Sequence, residues 1–323
     1  MLRTRLVWIV AITSLVSCVT EELAVDPESA TSQEIHGADS LASQSHANRA
    51  VALIRQTSDG WRRFCTGTFI DDNHVLTAAH CKATVNDRVS FYTVPDQMDT
   101  GRVRQIVNIT RPAGTNPFTG DLEDNNGAWA DLAVLQLSST AGAPAVIAAL
   151  RWTYPGAGVN GVKVGAGAHS TPAVAQLRQV TDPTDSPNDH DGSFMTEDDD
   201  TDSFDSGGPF YFNGLWVTGV LTGSDWDADS VTYRNLYTSV PHHLDFILGA
   251  IGYAWSGGAT EGRYRGGVYI SLMSRSERVC KYACDRTTTC VAFNHHSLLN
   301  QCELLSAVTS STSSSSWRSD LKP

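Results

Sequence analysis

The chain has 323 residues, 41 % of them apolar, and a formal net charge of −12 from 35 acidic and 23 basic side chains. That acid excess argues against nucleic acid or an anionic membrane surface as the main partner, because both attract basic protein. The length suits one large domain and a small one, and no apolar run after the leader reaches the roughly 20 residues that span a bilayer.

Residues 1–18 read as an export signal. Met1-Leu2-Arg3-Thr4-Arg5 supplies the positive start and residues 6–16 the apolar stretch, so this segment is processed and is not part of the fold. It ends in Leu15-Val16-Ser17-Cys18, which resembles a bacterial lipobox. The resemblance implies a lipidated Cys18 at the start of the mature chain, and an outer-membrane or cell-surface lipoprotein, or a protein secreted after processing. The other reading is a plain signal peptide that contains a cysteine. Seven cysteines leave an odd one in an exported protein, and lipidation of Cys18 would consume it. Cys65 and Cys81 are then one possible pair, and Cys280, Cys284, Cys290 and Cys302 a cluster of four.

Residues 19–34 are acidic and polar, without apolar periodicity, and read as a tether or propeptide. From residue 35 the pattern turns to short alternating segments such as Ala50-Val51-Ala52-Leu53-Ile54, Val89-Ser90-Phe91-Tyr92, Leu132-Ala133-Val134-Leu135 and Leu215-Trp216-Val217. Turn residues punctuate them closely, which predicts an all-β sandwich or barrel. Leu244, Ile247, Leu248 and Ile251 then recur at helical spacing over residues 240–251, the signature of an amphipathic helix. Residues 254–261 read as a linker. Beyond them the spacing predicts a helix over 275–285 with Cys280 and Cys284 on one face, a Ser/Thr-rich loop over 309–316, and a last strand around Trp317. The pairs His242-His243 and His295-His296 lack a matching ligand set and are expected at the surface; neither cofactor nor metal is called for.

Three segments carry the chemistry. They are Leu76-Thr77-Ala78-Ala79-His80-Cys81, preceded by Cys65-Thr66-Gly67-Thr68; Trp129-Ala130-Asp131-Leu132; and Phe204-Asp205-Ser206-Gly207-Gly208-Pro209. A serine hydroxyl is a weak nucleophile until an imidazole takes its proton, and a buried carboxylate fixes the imidazole tautomer. In this order the segments resemble the trypsin/chymotrypsin-like serine proteases over residues 35–253. The resemblance implies two six-stranded antiparallel β-barrels with a terminal helix, polypeptide substrates, His80 as general base and acid, Asp131 as its orienting carboxylate and Ser206 as nucleophile. It also implies a Cys65–Cys81 disulfide, and an oxyanion hole from the backbone N–H groups of Phe204 and Ser206.

Further expectations follow from the same likeness. Ile35-His36-Gly37-Ala38 resembles the family's mature terminus, so cleavage after Glu34 would free the Ile35 amine to pair with Asp205 as a zymogen switch. Counting back from Ser206 puts Asp200 at the S1 carboxylate position, opposite Thr222 and Ser224, which would select Arg or Lys; Asn235 replaces a common pocket glycine. Asp200 lies within Glu197-Asp198-Asp199-Asp200-Thr201-Asp202, where a solvated loop is the simpler reading, and Ca²⁺ ligation with Asp185, Asp189 and Asp191 follows no EF-hand spacing. Phe204 stands where the family almost always has glycine, and a β-carbon there could turn an oxyanion donor away.

The segment 262–323, with Cys280, Cys284, Cys290-Val291-Ala292-Phe293 and Cys302-Glu303-Leu304, resembles a PAN/apple domain, a small α+β module. The resemblance implies disulfides Cys280–Cys302 and Cys284–Cys290 in place of a zinc site, and a protein or carbohydrate ligand. The expected protein is therefore an exported serine endopeptidase whose membrane contact is only a lipid anchor. Its rival is a catalytically weak homologue that works as an adhesion protein.

Overall fold

Alternation of apolar and polar residues builds the first half of the molecule. In a computed structural model, strands Ala50–Thr57, Gly60–Phe69, His74–Thr77, Ala133–Leu137, Gln97–Thr110 and Arg88–Val94 close in that order into an antiparallel barrel. The structure describes residues 40–94, 97–138, 147–167, 177–184, 192–196, 201, 204–213, 215–226, 233–256, 260–272 and 274–323. The leader with Cys18, the tether, Ile35 and the acidic loop with Asp185, Asp189, Asp191 and Asp200 lie outside the described residues. Val51, Leu53, Phe69, Val75, Ile106 and Leu135 fill the barrel and are fully buried. Truncating one such leucine to alanine costs about 2–5 kcal/mol.

A second ring carries the rest of the large domain. Strands Arg178–Pro183, Asn160–Gly165, Pro209–Phe212, Trp216–Trp226, Tyr233–Ser239 and Ser193–Thr196 pair in sequence, and an antiparallel bridge between Thr184 and Thr196 joins the two ends. The expected pair of six-stranded barrels is thus present. Two short strands are added to it: Ser40–Leu41 on the outer edge, and Ala149–Leu150 parallel to the start of Trp216–Trp226. Phe194, Phe210 and Tyr237 pack ring on ring with centroids 5.2–5.6 Å apart, a geometry worth about 0.5–1.5 kcal/mol per pair beyond area burial.

The terminal helix is Leu244–Ala250, with Leu244, Ile247 and Leu248 buried on one face as the spacing predicts. The C-terminal segment adds helix Glu277–Asp285, N-capped by Ser276 Oγ. It also forms a five-stranded sheet in the order Thr260–Glu261, Trp317–Leu321, Ala292–His296, Gln301–Leu305, Val268–Leu272. Disulfide Cys280–Cys302 straps the helix to the sheet and Cys284–Cys290 ties it to the segment leading into strand Ala292–His296, staples that a core this small needs. This segment is docked against the barrels. Tyr282 Oη accepts the Leu150 N–H at 2.9 Å, Arg275 Nη1 donates to Pro241 O at 3.0 Å, and Arg278 Nη1 donates to Asp245 O at 2.9 Å.

Three expectations need correction. The Ser/Thr-rich stretch 309–316 is not all loop, because Ser310–Thr312 forms a strand paired with Arg263–Arg265. All three of its residues are exposed, so no apolar alternation marked it. The end of the expected linker, Thr260–Glu261, is itself a sheet strand. His243 and His295 are both 5 % exposed instead of lying at the surface: each ring places Nε2 near a backbone carbonyl, Trp129 O at 2.7 Å and Arg275 O at 3.0 Å respectively.

Candidate active site

His80 sits in a 3-10 turn, Ala79–Cys81, at the end of the first barrel's strand His74–Thr77. The turn ends on Lys82 in the left-handed region, φ 51°, and the Cys65–Cys81 disulfide ties it to strand Gly60–Phe69. Asp131 is fully buried. One carboxylate oxygen accepts the His80 backbone N–H at 2.8 Å, and the other lies 2.6 Å from His80 Nδ1. Both oxygens are therefore committed to one residue. With Nδ1–H donating to Asp131, Nε2 is left as the acceptor and proton-taking nitrogen. The His80 side chain is 29 % exposed, so that nitrogen is reachable.

Ser206 belongs to the turn before strand Pro209–Phe212 of the second ring. The first barrel grips this turn. Thr66 N–H donates to Ser206 O at 2.9 Å and Thr66 Oγ1 to Phe204 O at 2.8 Å, while Thr77 Oγ1 donates to Thr66 O at 2.7 Å. Gly207 takes φ +81°, and a β-carbon on it would stand 2.1 Å from Thr77 Oγ1 and 2.9 Å from Ala78 N. The Ser206 turn thus lies against the two residues that lead into the His80 turn. In the sequence Thr66 and Thr77 are marked only as motif flanks; their role as clamps depends on pairing across the two barrels.

Asp205 is 1 % exposed, and its Oδ1 accepts the Gly167 N–H at 2.5 Å. A β-carbon at Gly165 would fall 2.1 Å from the same oxygen, so that glycine makes room for the carboxylate. Phe204 is half-buried and its φ is outside the left-handed region, so its side chain imposes no φ strain of that kind. Ile35, the expected partner of Asp205, and Asp200, the expected S1 carboxylate, lie outside the described residues.

A cavity of about 480 Å³ opens beside His80, lined also by Glu123, Trp129, Met195, Thr222, Gly223 and Leu236. Thr222 Oγ1 lies 3.0 Å from Thr238 Oγ1, which donates to Asp131 O at 3.1 Å, so the cleft strand is tied to the carboxylate's own backbone. Ser224, on the same strand, pairs with Asn235. Asn235 is fully buried, and its Oδ1 accepts Thr201 Oγ1 at 2.5 Å, which fills space a glycine would leave open. Among the described residues no cluster of His, Cys, Asp and Glu is arranged to hold a metal ion.

Two β-rings that meet at a histidine–aspartate pair and a glycine-rich serine turn are the architecture of double-barrel serine peptidases. The family model for trypsin matches residues 38–247, well over half of the chain, and the chain belongs to the trypsin family of serine proteases. Among solved structures, neuropsin, a serine protease expressed in the limbic system of mouse brain, is 17 % identical with a TM-score of 0.52, over 66 % of this chain and 99 % of that one. A scabies mite inactivated protease paralogue is 16 % identical with a TM-score of 0.52, over 67 % and 99 %. At such identities the likeness is one of fold. No curated protein sequence is significantly similar to the chain.

Proposed function

We propose that the chain is an exported serine endopeptidase that cleaves peptide bonds through Ser206, His80 and Asp131. The observation that carries the reading is the doubly bonded Asp131–His80 pair beside a Ser206 turn clamped from the opposite barrel. His80 Nε2 would take the Ser206 hydroxyl proton as Oγ attacks the substrate carbonyl, then pass that proton to the leaving amine. Water would enter by the same route and release the acyl group. The oxyanion would lie against the N–H groups of Phe204 and Ser206.

Activation would follow cleavage after Glu34, with the Ile35 amine pairing with buried Asp205; a buried carboxylate favours such a cation because burial without charge compensation costs several kcal/mol. An S1 site built around Asp200, with Thr222 and Ser224 on the facing wall, would take Arg or Lys. Glu34 fits such a site poorly, so another protease would make the cut. Lipidated Cys18 would hold the precursor at the membrane, and the PAN/apple-like segment would bind a protein or carbohydrate ligand that targets the protease.

The rival, a catalytically weak homologue acting through its C-terminal segment, draws support from Phe204 at an oxyanion position. Fluorophosphonate labelling of the chain cleaved after Glu34, beside its Ser206→Ala and Phe204→Gly variants, decides between them. Strong labelling of the parent, lost in Ser206→Ala, is the expected result. No label on the parent with strong label on Phe204→Gly would leave the rival standing.

A further inference from the structure

Arg63 stands at the rear of the Phe204–Ser206 turn, and neither the triad nor the proposed switch uses it. It lies on strand Gly60–Phe69, two residues before Cys65. Its guanidinium carbon is 5.5 Å from the centroid of the Phe204 ring, and its Nη2 donates to Gly167 O. Gly167 is the residue whose N–H holds the Asp205 carboxylate. The side chain therefore touches both neighbours of the turn, the ring on one flank and the loop that fixes Asp205 on the other. Among the described residues its Nε and Nη1 are buried outside hydrogen-bond geometry, with the Tyr92 hydroxyl a nearby polar group. Burying guanidinium donors in this way is costly unless the charge itself is compensated. The face of an aromatic ring and a buried carboxylate are two such compensations. Burial raises the Tyr92 hydroxyl above its ordinary range, with Arg63 opposing and Asp205 adding to that rise, which sets both charges in reach of one buried hydroxyl.

We propose that Arg63 is a positioning residue for the oxyanion turn, seating the Phe204 ring and the Gly167 loop so that a residue with a β-carbon keeps its backbone N–H in place. A small residue at 204 leaves no ring to seat, so Arg63 and Phe204 act as a pair. The inference rests on the serine protease reading, and its test separates the two.

The test is a double-substitution cycle on the full chain cleaved after Glu34, with Arg63→Gln, Phe204→Gly, both together, and Arg63→Lys. Arg63→Gln should lower kcat about 10- to 100-fold, short of the 10²–10³-fold that outright loss of one oxyanion donor costs. KM should stay within about twofold, since only the transition state uses the turn. In the Phe204→Gly background the same substitution should cost less than about threefold. Arg63→Lys, which keeps a cation over the ring, should recover part of the rate. An equal loss in both backgrounds, no loss at all, or a lysine variant as slow as glutamine overturns the proposal. Labelling of the parent at Ser206 judges the protease reading by itself. If the parent takes no label, the parent and the Arg63→Gln, Phe204→Gly and double variants are compared by urea unfolding: non-additive midpoints uphold the Arg63–Phe204 pair and additive ones overturn it.

Discussion

Substituting Gly207 by alanine tests how the two barrels hold the nucleophile. The glycine's φ is +81°, and the added β-carbon would stand 2.1 Å from Thr77 Oγ1, 2.4 Å from Thr66 O and 2.9 Å from Ala78 N. Two of those three atoms are backbone, so a rotamer change cannot relieve the contact. The left-handed angle costs roughly 1–2 kcal/mol and overpacking typically about 1–3, so the fold should lose about 2–5 kcal/mol of a total near 5–15. Any relaxation must push the Ser206 turn away from Thr66 and Thr77. A displacement on the order of 1 Å at a reacting atom costs about 10²-fold in rate. Gly120→Ala is the control, because Gly120 has φ +89° with nothing within 4 Å of its β-carbon position; it meets the angle without the clash. Urea unfolding and fluorophosphonate labelling of both variants measure the difference. Gly207→Ala no less stable than Gly120→Ala, and labelled at the parent's rate, would refute the clamp.

Asp131→Asn should keep the fold and lower kcat by about 10⁴-fold, because the amide favours the wrong His80 tautomer; steady-state kinetics on a peptide substrate checks it. Burial holds the His295 imidazole below its usual range. Below an unfolded value near 6.5 the unfolded chain takes up a proton that the folded chain refuses, so stability falls as pH drops, by at most about 1.4 kcal/mol per pH unit. Urea midpoints at pH 7 and pH 5 should fall less in His295→Gln than in the parent, and equal falls would exclude the histidine as the source. Gly223→Trp should fill the cavity beside His80, since a β-carbon there meets no atom within 4 Å. Its effect should appear as at least a tenfold rise in KM, on the order of 1–3 kcal/mol, for peptides with a large residue N-terminal to the scissile bond, with short peptides little changed.

Local features were legible in the sequence. Alternation marked the strands around Val51 and Leu135, the helical spacing of Leu244, Ile247 and Leu248 marked the terminal helix, and cysteine spacing on a helix face placed Cys280 and Cys284 side by side. The motif flanks around His80, Asp131 and Ser206 identified the family because each flank has a local backbone task. What was hidden depends on register across the molecule. Thr66 reaches Phe204 across 138 residues of chain and Ser206 just beyond it, and Arg63 reaches Gly167 across 104. No periodicity encodes such contacts. The buried histidines were missed for a related reason: a backbone carbonyl partner, Trp129 O for His243, leaves no residue-type signal.

The contacts also explain why the C-terminal segment bears on the cleft. Tyr282 Oη takes the Leu150 N–H, and Leu150 pairs in parallel with Val217 at the start of strand Trp216–Trp226. That same strand carries Thr222 and Gly223 along the cavity beside His80, and Thr222 is linked through Thr238 to the Asp131 backbone. The edge-on packing of Tyr253 against Tyr282, with centroids 5.3 Å apart, and the inclusion of Val279 and Tyr282 in the main apolar core fix the helix on the barrel. The C-terminal segment is therefore joined to strand Ala149–Leu150, which borders the cleft strand, by the Tyr282–Leu150 hydrogen bond, and that bond must open along with the Arg275–Pro241 and Arg278–Asp245 bonds for it to undock.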